Sequence, residues 1–120
     1  MFENFYKFKL KKSVKKCGNN LRVFGRIHLV QPKSIEIGND FRINDGGKII
    51  SREGSSIQIG DDVTLSANAM ILSTGYDIEE WINTGKKKHK NMNTVIGNHV
   101  WICANSVVCG GVHISGEYVV

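Results

Sequence analysis

A chain of 120 residues has the length of a single domain. Its hydrophobic share of 41% and charged share of 22% exclude wholesale disorder, and 13 glycines against one proline exclude collagen-like and proline-rich chains. The net charge of +5 is unevenly placed: residues 1–26 carry eight Lys and Arg against the single acid Glu3, whereas 27–120 carry eight against ten.

The basic segment comes first in the chain. In MFENFYKFKLKK, Phe2, Phe5, Tyr6, Phe8 and Leu10 interleave with Lys7, Lys9, Lys11 and Lys12. At helical spacing Phe5, Phe8 and the stem of Lys12 share a face. The segment lacks the continuous apolar stretch and small-residue cleavage site of a secretory signal. No run of the chain is apolar enough to span a membrane as a helix. Two readings stay open for residues 1–16: a solvated cap on one end of the domain, or a peripheral contact with an anionic membrane or glycan. No RNP-like, zinc-finger or helix-turn-helix pattern accompanies the charge, so nucleic acid is not an expected partner. Cys17, Cys103 and Cys109 are odd in number and form no C-x-x-C pair. They read as free thiols of a cytoplasmic protein.

From Ile37 onward the chain repeats every six residues. Ile37, Ile43 and Ile49 form one run, Ile59, Leu65 and Ile71 a second, and Ile96, Ile102, Val108, Ile114 and Val120 a third. Four residues after most of these comes a second inward candidate: Phe41, Gly47, Val63, Ala69, Val100, Ser106, Val112 and Tyr118. Six matches neither the 3.6 of an amphipathic helix nor a meander of hairpins. It matches a solenoid in which each short side is one strand and one turn, and each coil buries its aliphatic residues against its neighbours. The Gly, Asn and Asp residues after each aliphatic are expected to supply corners at positive φ. About five coils fit the length. Arg42, Gln58, Thr64 and Trp101 should point outward, and His28 is placed ahead of the coils. The chain divides into a basic aromatic cap over 1–20 and a coiled domain over 21–120. Two insertions break the period: four residues around Arg52-Glu53-Gly54, and a polar excursion loop over 73–94. Long loops thrown from a rigid scaffold are common places for function.

The Ile-Gly-x-x-Val-x-Ile pattern, clearest in Ile59-Gly-Asp-Asp-Val-Thr-Leu65 and Val95-Ile-Gly-Asn-His-Val-Trp-Ile102, resembles the hexapeptide-repeat acyltransferases. Thr84-Gly85-Lys86-Lys87 is similar to a turn inside the excursion loop of capsular and lipopolysaccharide O-acetyltransferases. The resemblance covers roughly residues 18–120. It implies an all-β fold, the left-handed parallel β-helix, and homotrimers with the active site between neighbouring subunits. It also implies transfer of an acetyl group from acetyl-CoA to a sugar hydroxyl in surface polysaccharide or lipopolysaccharide assembly. An enzyme of this kind would be cytoplasmic or peripheral at the inner membrane face.

The chemistry asks for a neutral imidazole to take the hydroxyl proton and for N–H donors to hold the oxyanion. The family's histidine stands in a Ser-x-His-x-Ile context, but here Ser73-Thr-Gly-Tyr-Asp-Ile78 puts Tyr76 at that place. Phenols ionise at about 10 and make poor general bases at neutral pH. His89, in Gly85-Lys-Lys-Lys-His-Lys-Asn91, is the candidate base, in a Gly-Lys-His-Lys run similar to the serine-acetyltransferase-like branch. His99 and His113 sit on a corner and an outward position. By resemblance, Asp77, Glu79 and Trp101 are expected to meet the acceptor, and Lys86, Asn105 and Ser106 the coenzyme. No metal is expected: a γ-type carbonic anhydrase on this helix needs two histidines five apart, and none of the four here are. The sequence ends in mid-repeat at Tyr118-Val-Val120, before a further coil that members of the family carry. The competing reading is a catalytically degenerate scaffold or glycan-binding protein.

Overall fold

The computed structural model describes residues 2–120 and the side chains of residues 4–120, so the side chains of Phe2 and Glu3 lie outside the described residues. Helix α1 (Phe2–Ser13) precedes the coils. The first coil is β1 (Lys16–Cys17), β2 (Arg22–Val23) and β3 (His28–Val30); the second is β4 (Ile35–Ile37), β5 (Arg42–Ile43) and β6 (Lys48–Ile50). The third coil is β7 (Ser56–Ile59), β8 (Val63–Leu65) and β9 (Met70–Leu72). An excursion follows: β10 (Thr74–Tyr76), α2 (Ile78–Thr84) and β11 (His89–Asn91). The fourth coil is β12 (Asn93–Asn98), β13 (Val100–Ile102) and β14 (Val107–Val108), and β15 (His113–Gly116) opens a fifth.

Corresponding strands stack in parallel into three sheets, β1-β4-β7-β12-β15, β2-β5-β8-β13 and β3-β6-β9-β14. The register converts the period of six into three columns. Cys17, Ile37, Ile59, Ile96 and Ile114 form one. Val23, Ile43, Leu65 and Ile102 form the second, and Leu29, Ile49, Ile71 and Val108 the third. Ile43, Ile49, Leu65, Ile71 and Ile102 are wholly excluded from solvent, with Phe41, Val63 and Ala69 completing the interior. Burial of one such side chain stabilises by about 1.5–3 kcal/mol, so the columns dominate the stability of the stack.

The corners fall mainly on Asn, Asp and Gly as expected, with a division of labour among them. At the first corner of each coil the left-handed backbone falls on Asn20, Asp40, Asp62, His99 and Glu117, at φ between 55° and 61°, and at other corners on Gly25, Gly46, Asn68 and Asn105. The glycines that follow the aliphatics serve close stacking instead. A Cβ on Gly60 would lie 2.4 Å from Asn98 Oδ1 and 2.9 Å from the Gly97 carbonyl. Between them runs a ladder of amides: Asn19, Asn39 and Asp61 N–H donate to Asn39, Asp61 and Asn98 Oδ1 at 2.7–2.8 Å. Each coil thus satisfies the corner N–H of the one before it.

Three expectations are corrected. His28 lies within the coils, in β3 opposite Lys48, with its side chain exposed. The coils begin at Lys16, ahead of the division at residue 20. Val112, Tyr118 and Val120 are exposed rather than inward, and Ile114 is half-buried. These belong to the last coil, whose strand β15 is an edge with a neighbour on one side only. Trp101 and Gln58 point outward as expected.

Candidate functional site in the excursion

The excursion is held at its two ends by buried hydroxyls. Ser73, fully buried, shares a 2.7 Å hydrogen bond with Ser51, and Ser34 donates to Ser51 at 2.6 Å. Thr94, also fully buried, donates to the Leu72 carbonyl at 2.6 Å and accepts from Gly111 N–H at 3.0 Å. At the leaving post the Ser73 hydroxyl is satisfied by another buried hydroxyl, and at the rejoining post the Thr94 hydroxyl satisfies two backbone groups, the Leu72 carbonyl and the Gly111 N–H.

Between the posts, β10 and β11 pair antiparallel, with Thr74 opposite Asn91, Gly75 opposite Lys90 and Tyr76 opposite His89. The two candidate catalytic residues, thirteen positions apart in sequence, are therefore cross-strand neighbours. Their rings stack at 5.2 Å between centroids and 25° between planes. Trp81 meets Tyr76 edge-on at 6.0 Å between centroids, and the Lys87 ammonium sits 4.8 Å over the Trp81 ring. Among the described residues no group hydrogen-bonds to the His89 ring, so both of its nitrogens stay open to a ligand.

Helix α2 is short and closed at both ends. The Asp77 carboxylate accepts from Glu80 N–H at 3.1 Å as the N-cap, and Asp77 N–H donates to the Lys88 carbonyl at 2.8 Å. Gly85, at φ 72°, donates to the Trp81 carbonyl and turns the chain back into the lysines. Lys88 pairs with Glu80 at 3.5 Å. Glu79 and Lys86 are exposed on this unit.

The remaining candidates lie on the fourth coil. Trp101 projects outward from β13 and donates from Nε1 to Ser66 Oγ at 2.9 Å. Asn105 turns the following corner at φ 63°, its N–H bonded to the Ala67 carbonyl and its side chain exposed. Ser106 donates its hydroxyl to the Val120 carbonyl at 3.4 Å. The structure thus brings Tyr76, Asp77, Glu79, Lys86 and His89 together on one unit. It leaves Trp101 on strand β13 and Asn105 and Ser106 at the corner that follows it.

An open cleft of about 660 Å³ runs beside the base of the hairpin, lined by Gln31, Ser51, Arg52, Glu53, Thr74 and Asn91 among others. The chemistry-bearing residues here, Arg52, Glu53, Thr74 and Asn91, are not among the sequence candidates. A signal for them exists. The eight-residue step from Leu29 to Ile37, the ten from Ile49 to Ile59 and the 25 from Ile71 to Ile96 all fall at the same corner of successive coils. Stacked insertions build the cleft wall.

His99 is paired, with Nδ1 2.8 Å from Asp62 Oδ2. The hydrogen bond to Asp62 raises its pKa above the ordinary value; desolvation opposes it, and the charges of Asp62, Glu117 and Asp61 add to the rise.

Solved structures place this architecture. The chain superposes on a galactoside acetyltransferase in complex with coenzyme A at TM-score 0.78 and 24% identity, covering 94% of this chain and 55% of that one. It superposes on a hexapeptide-repeat-containing acetyltransferase from Vibrio cholerae at TM-score 0.70 and 19% identity, over 98% of this chain and 74% of that one. A polysialic acid O-acetyltransferase matches at TM-score 0.55 and 25% identity, over 87% and 53%. No family model and no curated protein sequence matches the chain. The fold is the left-handed parallel β-helix of the hexapeptide-repeat acetyltransferases. The chain spans about half the length of the galactoside and polysialic acid enzymes it resembles.

Proposed function

We propose that this protein is an acetyl-CoA-dependent O-acetyltransferase acting on a sugar hydroxyl, with His89 as general base and Tyr76 as the wall that positions it. The observation that carries this reading is the cross-strand stack of His89 on Tyr76. It sets an imidazole beside the very position at which the resemblance expects one. The solved neighbours, several of them with coenzyme A, support the donor class.

The residues present fit such a donor. Lys86 and Asn105 are exposed, and a cation and an amide suit the phosphates and amide groups of coenzyme A. Ser106 is less free, its hydroxyl being spent on Val120. The bound donor would supply an acetyl group activated as a thioester. His89 would take the proton of the acceptor hydroxyl at a ring nitrogen as the oxygen attacks the thioester carbonyl; the C–S bond then breaks, and the proton passes from the imidazole to the departing coenzyme A thiolate. The Tyr76 ring fixes the plane of the imidazole, and Asp77 holds α2 so that Trp81 backs Tyr76. The excursion and the corner of Asn105 lie at different corners of one chain. That separation supports a homotrimer in which one subunit's excursion meets a neighbour's coil, with Trp101, Asp77 and Glu79 offered to the acceptor.

The same stack favours a second reading, a glycan-binding scaffold, because Tyr76 covers one face of the imidazole and aromatic rings also grip sugars. Transfer from acetyl-CoA to a panel of sugars separates the two. Under the enzyme reading His89→Ala lowers turnover about 10²–10⁴-fold, the usual worth of a general base, and Tyr76→Phe costs little because the ring remains. Glycan binding with no acetyl transfer and no coenzyme A binding by calorimetry would establish the scaffold instead.

A further inference from the structure

Helix α1 closes the first coil with one face and, among the described residues, leaves the other without a partner. Leu10 and Val14 are buried and Tyr6 packs against the core, all on one side. At about 100° per residue, Phe5, Phe8 and Lys12 fall within an arc of about 60° on the opposite side. Phe5 is 59% and Phe8 63% exposed, and the Lys12 ammonium lies 5.8 Å over the Phe8 ring. Lys11 flanks this strip on one edge and Lys9 on the other, both exposed. Among the described residues no carboxylate pairs with Lys7, Lys9, Lys11 or Lys12.

We infer that this outer face of α1 docks the protein on an anionic lipid bilayer. The lysines meet the negative headgroups, while Phe5 and Phe8 enter the boundary between headgroups and acyl chains. Charge complementarity selects the occupant. A second copy of the face would bring like charges together, and a soluble polyanion would use the lysines but leave two phenylalanines in water. The inference stands on α1 alone and does not depend on acetyl transfer.

The test is sedimentation of the full chain with vesicles of phosphatidylcholine containing phosphatidylserine, and of phosphatidylcholine alone. Binding is expected to the mixed vesicles at low salt and to fade as added salt shortens the Debye length. Lys9→Gln and Lys12→Gln should each weaken it about fivefold. Phe5→Ser with Phe8→Ser should weaken it about tenfold or more, with the thermal unfolding of the coils unchanged because neither ring is in the core. Equal binding to neutral vesicles, or none to either, would overturn the inference. So would a double phenylalanine variant that binds the mixed vesicles as well as the wild type while heparin competes equally for both. That outcome would assign the face to a soluble polyanion.

Discussion

The coils and the excursion are held together by opposite means. In the middle coils each inward aliphatic residue is sealed by the residues above and below it, and Ile43, Leu65 and Ile102 have no exposed surface at all. In the excursion no residue of α2 is buried, and residues 81–91 are exposed throughout. What shapes it is a cap at each end of α2, a short hairpin, and the ring contacts among Tyr76, Trp81 and His89. The stack is stabilised by area, the excursion by a few directed contacts. A segment of the second kind can open locally without unfolding the first, which is what a substrate-admitting element requires.

Three substitutions put that contrast under strain. The largest effect is expected from Ile43→Ala, which removes a fully enclosed side chain between Val23 and Leu65. A loss of about 2–5 kcal/mol by denaturant titration is expected, with the whole stack losing cooperativity together. Asp77→Ala comes next. Losing the N-cap should cost about 1 kcal/mol, and the loss should appear as faster amide exchange confined to 77–89 while the global midpoint stays put. Exchange that quickened equally in β7 and β12 would mean the excursion and the coils unfold as one.

The smallest effect concerns His99. Its folded-state pKa is raised by Asp62, so the stabilisation is fully present below the unfolded value of about 6.5. It is lost as pH rises through the folded pKa. Thermal midpoints should therefore fall slightly as pH rises above about 6.5 in the wild type. In His99→Asn, which tolerates the same left-handed corner, they should not. An NMR titration placing His99 at or below 6.5 would contradict this.

Much of this structure is legible in the amino-acid sequence because the solenoid is quasi-one-dimensional. A residue's neighbour above it lies one coil away, so the period of six carries the burial of Ile37 through Val108 directly. The rows of six are clear only from Ile37, although in the first coil Cys17, Val23 and Leu29 keep the same spacing. Its outward positions are the basic Lys16, Arg22 and Arg26, and the turn Pro32–Ser34 stretches the step to Ile37 to eight residues. The last inward positions failed for the opposite reason. Val112, Tyr118 and Val120 follow the period, but burial needs a coil on both sides.

The sequence by itself determined the coiled architecture, the ends of the excursion at Ser73 and Thr94, and the helical face shared by Phe5, Phe8 and Lys12. Local pattern suffices for these, since each depends on near neighbours or on a fixed period. Only the tertiary structure decided that Tyr76 and His89 share one stack, and that three insertions pile on a single corner to wall a cleft with Arg52 and Asn91. It alone also decided that Asp62 finds His99. Those juxtapositions come from chain closure and from the stacking of coils up to 37 residues apart, and no periodicity along the chain encodes which side chains meet across such a gap.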